Sequence, residues 1–233
     1  MSISANLQQV WQAIAAAAAQ AGRDPATVLL LAVSKTFGPE AVIEAAGAGQ
    51  RAFGENYLQE AIDKQQAVRA LRPDLALEWH FIGPIQSNKT RPVAEHFDWV
   101  HSVDREKIAR RLSEQRPAHL PPLNICLQVN VSGEESKSGV APAELPALAR
   151  AVADLPNLKL RGLMAIPEPA DDPDQQRKPF AQLRALQSQL HELGIATDTL
   201  SMGMSADMPA AIAEGATIVR IGTAIFGKRD YAK

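Results

Sequence analysis

The chain has 233 residues, 46% of them hydrophobic and 21% charged, the balance of a globular protein with a core of useful size. A formal net charge of −2 supplies no strong field toward nucleic acid or an anionic membrane, and a single cysteine, Cys126, excludes an intrachain disulfide framework. The N-terminus has no signal-peptide pattern and no apolar stretch approaches a membrane span, so the expected location is the cytoplasm.

An alanine-rich helix over 6–21 opens the chain and stops at Gly22. The apolar run 28–34 follows and reads as a strand buried on both faces, as in a parallel sheet. A rhythm then sets in. Helix 39–48, with Pro39 in its first turn, leads to a short strand at 51–54. Helix 57–71 leads to strand 78–82, and a helix after Asn88 leads to strand 99–102. Helix 105–115 precedes strand 123–131, where Cys126 is placed for core packing rather than nucleophilic chemistry. Helix 143–153 precedes strand 159–163, and the long helix 175–193 precedes a short strand at 199–201. Helix 206–214 leads to the last strand, 217–221, and 223–226 begins a closing turn. The stretch 167–179, rich in proline and aspartate, reads as an exposed connection.

Eight strands alternating with helices imply a parallel sheet with right-handed crossovers. Eight such units, in a chain near the usual ~250 residues, point to one closed (β/α)8 barrel of the TIM type, an α/β fold. With its extra N-terminal helix, that barrel would occupy 1–233 as a single domain. A doubly wound open sheet is the alternative, because the shorter strands are loosely bounded.

In a barrel, the residues just after each strand converge at one mouth. Here they are Lys35, Glu55, Asn56, Gly83, Gln86, Asn88, 101–104, 130–132, Met164, 201–205, Gly222 and Thr223. The set lacks the paired acids of a glycosidase and shows no metal-ligand spacing. The five histidines, His80, His96, His101, His119 and His191, therefore read as structural or solvated. Lys35 is the distinctive member. Partial desolvation at a strand end favours a neutral, nucleophilic amine, which forms Schiff bases with aldehydes. The position also suits a solvated loop lysine.

Two late segments have the makings of an anion cradle. Residues 201–205 and 220–223 are glycine-containing turns after the seventh and eighth strands, where barrels often bind phosphate. Backbone amides and the hydroxyls of Ser201, Ser205 and Thr223 would donate to it, although ordinary turns would need the same glycines. A Schiff-base lysine after strand one and a phosphate site after strands seven and eight together suggest pyridoxal 5′-phosphate (PLP). Arg220 would then face the ring nitrogen, and its permanent charge would disfavour ring protonation and weaken the electron sink. An ion pair inside the barrel is the other role open to Arg220.

The motifs Ala32-Val33-Ser34-Lys35-Thr36, Phe53-Gly54-Glu55-Asn56-Tyr57 and Trp79-His80-Phe81-Ile82-Gly83, with Gln86, Asn88 and Lys89, resemble the pyridoxal phosphate homeostasis protein family (YggS/PROSC type). So do His101-Ser102-Val103-Asp104, Gly162-Leu163-Met164, Leu200-Ser201-Met202-Gly203-Met204-Ser205 with Asp207, and Val219-Arg220-Ile221-Gly222-Thr223 through Phe226-Gly227. The resemblance runs in order through nearly the whole chain. It implies a fold-type III PLP protein, similar to the N-terminal domain of alanine racemase. Carried over, Lys35 would hold PLP as a Schiff base, Arg220 would face the pyridine nitrogen, and Ser201, Gly222 and Thr223 would bind phosphate. Asn56 would lie beside the ring, and Met164, Met202, Gly203, Met204 and Ser205 would line the pocket. Lys137 is a candidate second PLP site. Ile85 stands where leucine is usual, outside the inferred site.

The same resemblance implies a carrier or regulator that sequesters a reactive aldehyde, with apo PLP-dependent enzymes as candidate recipients and with no catalytic residues or metal. The expected state is a monomer. The alternative is a small amino-acid racemase or another fold-type III enzyme. A two-base racemase needs a proton donor on each ring face. Alanine racemase takes its second, a tyrosine, from an added β-domain. This chain runs to Lys233 without sequence for one, and its tyrosines are Tyr57, expected to pack or cap near the second strand, and Tyr231 in the tail. The binding reading is therefore preferred. A phosphate-binding barrel without PLP is the third reading, should Lys35 only decorate a loop.

Overall fold

Alternating apolar strands and amphipathic helices leave one economical arrangement, and the computed structural model, which describes residues 1–135 and 138–228, adopts it. Its strands are β1 (Leu29–Val33), β2 (Ala52–Glu55), β3 (Glu78–Phe81), β4 (Trp99–Val103), β5 (Leu123–Gln128), β6 (Leu158–Met164), β7 (Thr199–Ser201) and β8 (Ile218–Ile221). Each pairs in parallel with the next, and β8 pairs in parallel with β1, so the barrel is closed and the open-sheet alternative is excluded. The seam sets Leu31 against Arg220 and Ala32 against Ile221.

The helices are α1 (Ile3–Gln20), α2 (Pro39–Gly47), α3 (Leu58–Leu71), α4 (Thr90–His96), α5 (Glu106–Gln115), α6 (Leu145–Ala153), α7 (Pro173–Glu192), α8 (Met208–Ala213) and α9 (Thr223–Phe226). The first starts at Ile3, earlier than the sequence suggests, because Ser2 Oγ accepts from the Ala5 amide and caps it. Its buried residues, Leu7, Val10, Ile14, Ala17 and Ala18, follow the helical period and join the outer core. Each fully buried aliphatic side chain there contributes about 1.5–3 kcal/mol. Asn6 Nδ2 donates to the Ile225 carbonyl at 2.8 Å, so the extra helix is fastened beside the last strand.

Two boundaries differ from the sequence reading. The stretch 167–179 is not one exposed connection: α7 begins at Pro173, and Pro179 lies inside it. Asp172 caps that helix by accepting from the Asp174 amide, and Pro173 has no amide to leave unpaired in the first turn. Strand β5 ends at Gln128 rather than at 131, with only an isolated bridge between Val129 and Val140 beyond it.

Alternation along the strands separates two cores. Leu30 and Ala32 point to the helices, whereas Leu31 and Val33 point into the barrel with Ala52, Ile82, Trp99, Cys126, Met164 and Ile218. Burial pushes the Cys126 thiol up to about 12, the behaviour of an inert packing residue.

Candidate functional site

Strand β1 ends at Val33, and the Ser34 amide still bonds to the Gly54 carbonyl, so Lys35 emerges from the last rung of the ladder at the carboxyl edge. Thr36 follows with φ +69°, a left-handed conformation that a β-branched residue adopts only when held there. Helix α3 does the holding. The Thr36 amide donates to Glu60 Oε1 at 2.6 Å, and the buried Lys64 ammonium donates to Ser34 O at 2.8 Å, Glu55 Oε1 at 2.6 Å and Glu60 Oε1 at 3.1 Å. Ser34 Oγ also donates to Glu55 Oε1, at 2.6 Å. Burial raises the Glu55 pKa, and the Lys64 ammonium opposes the rise.

Lys35 opens onto a cavity of about 480 Å³ at the mouth. Of the residues predicted for the site, Lys35, Asn56, Met204, Ser205, Arg220, Gly222 and Thr223 line it. Val33, Phe37, Ile82 and Ile166 add apolar wall, with Ala206 beside them. Phe37 is stacked on Phe226, ring centroids 5.2 Å apart, which ties the Lys35 loop to α9. Asn56 Oδ1 is buried and has no hydrogen-bond partner among the described residues, so the wall holds an unused acceptor. A second cavity, of about 590 Å³, lies at the opposite rim, where β1, β2 and β3 begin, and is remote from Lys35.

Arg220 is almost fully buried. Nη1 donates to Ser201 Oγ at 2.7 Å, Nη2 donates to Ala165 O at 2.9 Å, and the main-chain amide donates to Gly203 O at 2.9 Å. Desolvation lowers its pKa to about 10, so the guanidinium is still charged at neutral pH. Two bonds leave it with N–H groups to spare for the cavity.

Four predicted site residues stand behind this wall. Met164 fills the barrel interior beneath it, and Met202 packs in the core facing the helices. Gly203, at φ +101°, supports the loop: a Cβ there would come within 2.6 Å of Ala211 Cβ. Ser201 departs furthest from expectation. It is fully buried, and its hydroxyl is engaged by Arg220 and by His101 Nδ1, 2.7 Å away. Gly222 leaves little room for a side chain, since a Cβ would lie 3.1 Å from Val33 O across the seam.

Sequence reasoning missed the apolar wall and the company His80 and His101 keep. Both rings are fully buried, and His80 Nδ1 lies 2.8 Å from His101 Nε2. Lys137 and Tyr231 lie outside the described residues. Among the described residues, no cluster of His, Cys, Asp or Glu could hold a metal ion, and no helix is long and apolar enough to cross a membrane.

Residues 5–230 match the family model for the N-terminal domain of alanine racemase. The chain is 67% identical over 230 residues to a protein of Pseudomonas aeruginosa called pyridoxal phosphate homeostasis protein, covering 99% of this chain and 97% of that one. A protein of the same name from Vibrio cholerae is 59% identical over 232 residues, covering 100% and 98%. Among solved structures, PipY of Synechococcus elongatus PCC7942 with PLP bound superposes with a TM-score of 0.83 at 38% identity, covering 97% of this chain and 100% of that one.

Proposed function

This chain belongs to the alanine racemase N-terminal domain family, among its pyridoxal phosphate homeostasis proteins, and from that premise we propose that it binds PLP in the mouth cavity as a carrier or regulator of the cofactor. The residues at the cavity fit the group. Lys35 supplies an amine for the aldehyde, Ser205, Gly222 and Thr223 supply hydroxyl and backbone donors for the phosphate, and Arg220 supplies N–H groups for the ring nitrogen. Asn56 Oδ1, without a partner, supplies an acceptor for the ring hydroxyl. Bound PLP contributes an aldehyde and an electron-withdrawing ring. The protein's own groups hold the amine at a braced strand end, keep a permanent cation beside the ring nitrogen, and close one side with Phe37, Ile82 and Ile166.

One observation carries the reading. Lys35 from the first strand and Arg220 from the last are the only titratable side chains among the described residues that line the cavity. That pair suits capture of an aldehyde. It gives no second acid–base group for proton transfer on the far ring face, which disfavours the racemase reading. By the same reading the protein acts as a cytoplasmic monomer, and apo PLP-dependent enzymes receive the cofactor.

The test is absorbance on adding PLP, with and without borohydride reduction, followed by mapping of the modified peptide. The expected result is a new band that reduction fixes on Lys35 and that Lys35→Ala abolishes. A modification mapped elsewhere, or an unchanged band in Lys35→Ala, overturns the assignment.

A further inference from the structure

Cofactor binding leaves four polar side chains unexplained: His80, His101 and Ser201, buried in the barrel, and Glu78 at its rim. They form a continuous chain through strands β3, β4 and β7. Glu78 Oε1 lies 2.7 Å from His80 Nε2, His80 Nδ1 lies 2.8 Å from His101 Nε2, and His101 Nδ1 lies 2.7 Å from Ser201 Oγ. Arg220 Nη1 completes it, donating to Ser201 Oγ at 2.7 Å. The far end, Glu78, is half-exposed at the rim where the strands begin, and the near end is the cavity wall.

The two ends dictate the direction of every bond. A guanidinium can only donate and a carboxylate can only accept. The Glu78 carboxylate therefore accepts a hydrogen bond from His80 Nε2–H, which in a neutral ring leaves Nδ1 an acceptor. His101 must then donate from Nε2, which leaves its Nδ1 an acceptor for the Ser201 hydroxyl. Ser201 Oγ in turn has a lone pair for Arg220. With both imidazoles neutral, each donor meets an acceptor. The surroundings favour that state: both rings are fully buried, and burial lowers both pKa values. Trp99 stacks on His80 with centroids 5.2 Å apart and rings 7° from parallel. The charged neighbours are Arg161, 4.5 Å over the Trp99 ring and paired with Asp198, and Asp98, which accepts from the Trp79 amide. Cys126 is a further titratable group on the interior side. Protonating His80 would set its Nδ1–H against the Nε2–H of His101, and protonating His101 would make its Nδ1 a second donor to Ser201 Oγ and turn the hydroxyl hydrogen away from the chain.

We propose that Glu78, His80, His101 and Ser201 are positioning residues that span the barrel and hold Arg220 in one donor orientation at the cavity. The inference rests on the PLP reading only for what Arg220 then faces. Ser201 thus serves the arginine and not the phosphate. A polarity fixed at the outer rim is delivered to the ring-facing cation across the whole depth of the barrel.

The test is nitrogen NMR of the ligand-free protein labelled at histidine and arginine. Both imidazoles are expected as neutral Nε2–H tautomers that do not titrate over roughly pH 5.5–8. Rotation of the Arg220 guanidinium is expected to be slow, and about tenfold faster in Ser201→Ala, the worth of one hydrogen bond. His80→Phe, which touches neither Ser201 nor Arg220, should also speed it and mix the His101 tautomers. An Nδ1–H tautomer on either ring, an ordinary histidine titration, or Arg220 rotation unmoved by both substitutions overturns the proposal. The wild-type tautomers decide the matter even if a variant fails to fold. Failure of the PLP reading would instead appear as no absorbance change on adding the cofactor, with these spectra intact.

Discussion

Lys64 Nζ donates to the main-chain oxygen of Ser34 at 2.8 Å, so the residue directly before Lys35 is tied to a buried ammonium on α3. The same ammonium compensates the buried Glu55 carboxylate at 2.6 Å. Removing one partner of such a pair leaves an uncompensated buried charge, at a cost of about 3–5 kcal/mol. Lys64→Met should lose stability of that order in urea denaturation and weaken PLP binding. The double variant with Glu55→Gln should recover part of the loss. Wild-type stability in Lys64→Met would show that the clamp is dispensable.

Gly203→Ala should destabilise the protein by about 1–3 kcal/mol. The residue sits at φ +101°, and the new methyl would meet Ala211 Cβ at 2.6 Å. Ala211→Gly would relieve the clash but not the backbone strain, so the double variant should be only partly restored. Because Gly203 O accepts from the Arg220 amide, PLP affinity should fall along with the thermal midpoint.

Stability should fall on acidification below the ordinary histidine value near 6.5. His80 and His101 have pKa values lowered by burial, so the unfolded chain binds protons that the folded chain refuses. Two such rings remove up to about 2.7 kcal/mol per pH unit between the ordinary value and their lowered ones. Glu55 and Asp98, both raised by burial, act in the opposite sense as pH falls toward their raised values. Urea midpoints at about pH 7.5, 6.5 and 5.5 give the slope, and His80→Phe should flatten it. Equal slopes in the two proteins would remove His80 from the account.

Incubation with L-alanine followed by chiral analysis should show no inversion at rates near 1 s⁻¹, the low end of ordinary turnover. The described cavity wall offers Lys35 and Arg220, and an arginine that stays charged is no general base. Turnover above about 1 s⁻¹ would restore the racemase reading.

The barrel was legible because β1, β5 and β8 are largely apolar runs and the shorter strands keep their rhythm with the helices, and Lys35, Gly222 and Thr223 were legible as mouth residues because they lie within two residues of the ends of β1 and β8. The interior chain was not. Trp79, His80 and Phe81 are all buried, as is the whole of β4, so alternation does not say which side chains face inward. His80 and His101 meet only through pairing of strands 21 residues apart in sequence. Ser201 was read as a donor to phosphate because its position after the seventh strand allowed it, whereas its partners come from β4 and β8. In 167–179 the proline and aspartate content obscured a helix start, although Asp172-Pro173 is itself a capping signal.

The seam between β1 and β8 carries a further consequence. Lys35 lies two residues beyond one of these strands, and Arg220, Gly222 and Thr223 lie within or just after the other. Ligand binding there is coupled to closure of the seam, and a ligand at a hundred times its dissociation constant would stabilise the closed ring by about 2.7 kcal/mol.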